Sequence, residues 1–133
     1  MSEKAKLAQQ LHTEGHNCAQ AVFCAFADEM GIDQQTARRL MEGFGGGMGD
    51  RTNVCGALSG AVAVIGYVFS NGVPERGPRR NMVYGKVAQA TQAFKDLYQD
   101  TVCSVIMQAN PCGVKVYDAA LIVEKILAEA KEG

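Results

Sequence analysis

The sequence predicts an all-α fold, a single-domain bundle of about five to seven helices around a buried apolar helix over residues 54–69. Three observations predict it. Apolar residues recur at helical spacing along nearly the whole chain, and no stretch alternates apolar and polar residues for long enough to make a strand. The breakers, among them prolines at 74, 78 and 111, fall at the ends of the periodic segments. The 133 residues, 47% of them apolar, form one domain (1–133) with enough apolar surface for its own core.

Taken in order, the first helix is expected over Glu3 to Thr13, with Ala5, Leu7, Ala8 and Leu11 on its inner side and Gly15 stopping it. The second runs from Cys18 to Met30, buries Ala21, Val22, Ala25 and Phe26, and ends at Gly31. Asp33 caps a short third helix through Leu40 and Met41, which gives way to the glycine-rich G-F-G-G-G-M-G of residues 43 to 49. The fourth helix, Val54 to Phe69, is the apolar one. After the loop S-N-G-V-P-E-R-G-P comes a fifth from Arg79 to Tyr98, with Val83, Val87, Ala90 and Phe94 inward. A short helix over Thr101 to Gln108 and a last one from Pro111 to Ala130 complete the set.

Several function classes are excluded. The 13 basic and 14 acidic side chains leave a formal net charge of -1, with no basic stripe for a phosphate backbone, so nucleic acid is not a partner. The N-terminus has lysines but no apolar core behind them, so no signal peptide is read and the chain is expected to be cytoplasmic. The charge-free stretch Val54 to Gly72 carries Gly56, Ser59, Gly60, Gly66, Ser70, Asn71 and Gly72, too polar for a spanning helix, and no membrane insertion is expected. No serine–histidine–acid set, paired carboxylates or H-E-x-x-H supports a hydrolase.

The five cysteines carry the remaining signal. With no secretory signal a disulfide framework is disfavoured, and clustered cysteines point to metal or redox work. Four of the five are expected in the first turn of a helix. Asn17 precedes Cys18 with Gln20 placed for a capping box, Asn53 places Cys55 at a second helical position, Asp100 places Cys103 at a third, and Asn110-Pro111 places Cys112 at a second. First-turn N–H groups lack intrahelical partners and carry the positive end of the macrodipole, so each of these four thiols is predisposed to ionise. Cys24, deeper in the second helix on its apolar side, reads as a small core residue.

Cys55-Gly56-Ala57-Leu58-Ser59-Gly60 spells CGAxxG, and E-G-H-N-C-A-Q-A-V at 14 to 22 and F-G-G-G-M at 44 to 48 precede it. With Cys103 and Cys112 behind, the chain resembles, over nearly its whole length, the family of redox-active proteins named for the pattern C_GCAxxG_C_C. The resemblance implies that Cys18, Cys55, Cys103 and Cys112 form the working set, catalytic or metal-ligating, with Cys24 outside it.

Three chemistries stay open for such a set: an iron–sulfur cluster, a closed zinc site, or two pairs cycling between dithiol and disulfide. No C-x-x-C is present, so neither the usual metal loop nor a thioredoxin-type motif decides among them. Gly56 and Gly60 lie one turn apart and let a helix backbone or a cofactor approach. Gly45, Gly46 and Gly47 offer bare amides to an anionic sulfur site but do not spell a nucleotide cradle. His12 and His16 both precede Cys18. His16 reads as a loop histidine on the surface, with proton donor or extra ligand as its other readings. The expected function is a redox protein with an unidentified redox partner. A metal-binding or metal-delivery module and a partner-binding helical domain are the alternatives, and a homo-oligomer is left open.

Overall fold

Helices α1 (Glu3–Thr13), α2 (Cys18–Met30), α3 (Gln34–Met41), α4 (Gly56–Phe69), α5 (Pro78–Tyr98), α6 (Cys103–Ile106) and α7 (Cys112–Glu132) follow one another in the computed structural model, which describes residues 3–107 and 110–132. No strand occurs among the described residues. Their β structure is a single antiparallel bridge, Val54 with Val102. No described helix is long and apolar enough to cross a membrane.

The bundle is built on α2 and α4. Helix α2 starts where its capping box dictates: the Gln20 amide donates to the Asn17 side chain (2.9 Å) and the Asn17 amide donates to the Gln20 side chain (2.9 Å). Gln20 then donates through Nε2 to the Arg38 carbonyl (2.9 Å), so the buried cap also ties α2 to α3. From Ala19 to Ala27 every residue of α2 is buried, because α1, α3, α4 and α7 cover it on all sides. Helix α4 packs against α2, α5 and α7 through Leu58, Ala61, Val64 and Ile65. Each fully buried Val, Ile or Phe here contributes roughly 1.5–3 kcal/mol.

Small residues set the closeness of that central pair. A Cβ on Gly60 would stand 2.7 Å from the Ala19 carbonyl oxygen, so the two helices approach to a distance no side chain at residue 60 permits. The last helix closes the core with Val116, Ala119, Ala120, Val123 and Ile126, and α5 adds Ala90 and Phe94, the latter's ring 4.8 Å from that of Tyr98.

Three expectations need correction. Helix α4 begins at Gly56 rather than Val54, because the backbone of residues 53–55 pairs with that of 101–103; Cys55 occupies the N-cap position and Asn53 caps nothing. The helix expected over 101–108 is confined to Cys103–Ile106, with Val102 rather than Asp100 before it, while Gln108 lies outside the described residues. Asp100 instead accepts from the Thr101 and Val102 amides (2.7 and 3.0 Å), closing a turn. Leu7 is exposed, because α1 lies against α2 and α7 along Ala5 and Ala8.

Candidate functional site

Cys18 is the first residue of α2 and Cys112 the first of α7, each half-buried. The two helix starts meet. Their sulfurs lie within 4.8 Å of one another and of a ring nitrogen of His12, in the last turn of α1, and the Cys18 thiol donates a hydrogen bond to the Cys112 sulfur. Three elements thus contribute one side chain each, and the Gln9 side chain donates to the Gly113 carbonyl (3.4 Å), holding α1 against the start of α7.

A different device positions the other two. Cys55 and Cys103 flank the antiparallel pair Val54–Val102 diagonally, Cys55 opposite Thr101 and Cys103 opposite Asn53, so the bridge that shortens α4 also fixes both backbones. The Cys55 amide donates to the Thr101 carbonyl (2.7 Å) and the Cys103 amide to the Asn53 carbonyl (2.8 Å). Both side chains are buried. The glycine-rich turn presses on this unit. Gly47, at φ 59°, lies so close that a Cβ would be 2.5 Å from the Cys103 Cβ, and one on Gly45 would be 2.3 Å from the Asn17 side chain.

CGAxxG joins the two halves. The open side of Gly56 faces the Cys18 Cβ and the Ala19 amide, at 3.3 and 3.2 Å from where its own Cβ would be, and Gly60 meets Ala19 one turn later. Cys55 is thereby held within electrostatic reach of Cys18 on one side and Cys103 on the other. The close set among the described residues is His12, Cys18 and Cys112. Cys55 and Cys103 do not join that close set. Cys24 is buried in α2 among core residues, as expected.

Electrostatics reverse one expectation. The helix-start amides of Ala57 and Leu58 do favour the Cys55 thiolate, and the Lys115 ammonium adds to them, but burial is larger and pushes the thiol up. Cys18 is pushed up further: burial leads, the charges of Cys112 and Cys55 and the hydrogen bond to Cys112 add to it, and Lys115 opposes. At Cys55 desolvation outweighs the helix-start amides because the side chain is buried. Cys112 also sits one position earlier in its helix than expected, with the Pro111 carbonyl accepting the first turn's bonds.

Three side chains that the sequence reading passed over belong to this region. His12 is in the close set, whereas His16, weighed as the extra ligand, is half-buried in the α1–α2 loop, its Nε2 enclosed without a partner among the described residues. Lys115, 1% exposed, acts on both Cys18 and Cys55. Its signal was legible: it follows Cys112 by three residues and so shares its helix face. Tyr98 donates to Asp118 (2.5 Å), and burial together with that bond pushes its phenol up.

The class the fold and site define is an all-helical protein in which Cys18 and Cys112, from separate helix starts, meet His12. The chain belongs to the C_GCAxxG_C_C family, whose description reads "Putative redox-active protein (C_GCAxxG_C_C)" and whose model matches residues 16–126. It is similar to an uncharacterized protein of Archaeoglobus fulgidus, 29% identical over 110 residues that cover 77% of this chain and 73% of that one. No solved structure shows significant similarity to it.

Proposed function

We propose that this protein is a thiol–disulfide redox carrier in which Cys18 and Cys112 are the exchanging pair and Cys55 with Cys103 the pair behind it. One observation carries the reading: the Cys18 and Cys112 sulfurs are within 4.8 Å and already share a hydrogen bond. A disulfide between them requires the sulfurs to close to about 2.05 Å. The same two thiols have access to solvent, which the buried Cys55 and Cys103 lack.

Exchange with a partner disulfide balances without another reactant. A thiolate of the pair attacks one sulfur of the partner and forms a mixed disulfide, and the second cysteine displaces it. The protein ends with a Cys18–Cys112 disulfide, having lost two electrons and two protons, and the partner leaves as two thiols. In this reading Gly45, Gly47 and Gly56 serve to bring the sulfur-bearing segments close.

The test is to purify the protein under argon, oxidise it with a small disulfide and map the cross-linked peptides by mass spectrometry. A Cys18–Cys112 peptide two hydrogens lighter than the reduced pair is expected. Five free thiols after oxidation overturn the reading, and a brown protein with iron and acid-labile sulfide replaces it with a cluster held by the four cysteines.

A further inference from the structure

We propose that the reduced protein also binds one zinc-class divalent ion through a ring nitrogen of His12 and the sulfurs of Cys18 and Cys112, with its fourth position open. The three donor atoms all lie within 4.8 Å of one another. In a tetrahedral zinc site with Zn–S near 2.3 Å and Zn–N near 2.0 Å, neighbouring donors are about 3.5–3.8 Å apart. Side-chain adjustments of about 1 Å, within the reach of small χ1 changes, therefore close the site without moving a helix.

The donor set selects the ion. One imidazole and two thiols suit zinc and its borderline-soft neighbours, and the set has none of the carboxylates that calcium or magnesium require. It also selects the kind of site. Structural zinc is enclosed by four protein ligands, whereas a site with three protein ligands keeps a position for water or an incoming ligand. All three residues here are half-buried, Cys55 and Cys103 stand apart from them, and so the ion remains exchangeable.

His12 is supplied by α1, four residues before the first residue that the family's model matches. The site is thus completed by a segment outside the span that the family's model matches. Its geometry follows from the chain reversal between α1 and α2: the His16 amide donates to the Leu11 carbonyl (3.0 Å), folding the loop back so that the end of α1 faces the start of α2.

The site itself is independent of the disulfide reading, but the coupling between the two rests on that reading. Binding releases the two thiol protons as both sulfurs become thiolates on the ion. The pair then cannot form a disulfide while the ion stays. Exchange with a partner disulfide takes up two protons and yields the Cys18–Cys112 disulfide, two partner thiols and the free ion.

Cobalt(II) is the probe. The reduced full chain, titrated under argon, is expected to take up one Co2+ with sulfur-to-cobalt charge-transfer absorption and tetrahedral visible bands, both bleached by added Zn2+. His12→Ala should weaken Co2+ binding by more than about a hundredfold, since even an indirect partner of a ligand costs 10–100-fold. His12→Asn, which preserves more of the side chain's volume and polarity, should behave alike, and its far-ultraviolet circular dichroism checks that the fold is intact. Absence of cobalt absorption overturns the proposal. Binding unchanged in a folded His12→Asn overturns it too, as does equal loss on Cys103→Ser, which would move the ion to the four-cysteine set. Cobalt binding without a Cys18–Cys112 disulfide sinks the redox reading alone; the disulfide without cobalt binding sinks the metal site alone.

Discussion

A methyl group has no place between Gly60 and Ala19. A Cβ at residue 60 would lie 2.7 Å from the Ala19 carbonyl oxygen and 3.1 Å from the Val22 Cβ, and the obstructing oxygen is backbone inside a helix that is buried all round. This contact sets the distance between α2 and α4, and with it the distance from Cys18 to Cys55.

Gly60→Ala is therefore expected to destabilise the protein although it raises helix propensity. The propensity gain is about 1 kcal/mol, and forcing the α2–α4 crossing apart costs about 1–3 kcal/mol, so the clash wins. Urea unfolding of the reduced protein measures the net sign. A more stable Gly60→Ala variant would show that the crossing is loose.

Gly46 and Gly47 make a matched pair in the glycine-rich turn. Both have positive φ (62° and 59°), but a Cβ on Gly46 meets nothing within 4 Å while one on Gly47 meets Cys103. Gly46→Ala should lose only the left-handed backbone cost of about 1–2 kcal/mol. Gly47→Ala should lose more and dislodge Cys103. Thermal melts compare the two, and faster alkylation of Cys103 in Gly47→Ala alone reports the displacement.

Lys115→Met removes the buried ammonium that acts on both Cys18 and Cys55 and keeps the volume. Thiolates at both positions lose a favourable charge, so alkylation of Cys18 at fixed pH should slow by up to about tenfold. Stability should stay level or rise by about 1 kcal/mol, because replacing a buried charge with an apolar side chain removes its desolvation cost. Alkylation that is unchanged or faster contradicts the placement of the charge.

The thiols set a pH dependence with a definite sign. Cys18 and Cys55 hold their protons above the ordinary thiol value of 9.0, chiefly because burial disfavours the thiolate. In the unfolded chain these groups ionise near 9.0, so their contribution to stability is intact below that pH and is lost as pH rises above it. The urea midpoint should fall as pH is raised from about 8 to about 10. Alkylation of Cys18 should climb about tenfold per pH unit over the same range, with no plateau near 9.

How much of this was legible depends on whether the signal is local. The bounds of α1 and α2 match the sequence reading because Asn17, Gln20 and Gly31 act within a turn of themselves. The start of α4 was misplaced because Val54 is captured by Val102, 48 residues away in sequence, and nothing near Asn53 announces a partner at that distance. His12 was passed over in favour of His16 on the same grounds: proximity in sequence to Cys18 favoured His16, and proximity in space, set by the reversal of the chain at Gly15, favoured His12.

By itself the sequence determined the all-helical class, the burial of Cys24 in the core of α2, and the small residues of CGAxxG that allow two helix starts to touch. These depend on periodicity, capping and side-chain size, which short segments carry within themselves. Only the tertiary structure decided that the Cys18 and Cys112 sulfurs are neighbours, that a histidine joins them, that burial raises the Cys18 thiol, and that burial outweighs the helix-start amides at Cys55. Those outcomes depend on what surrounds each sulfur, and the surroundings come from helices far apart in the chain.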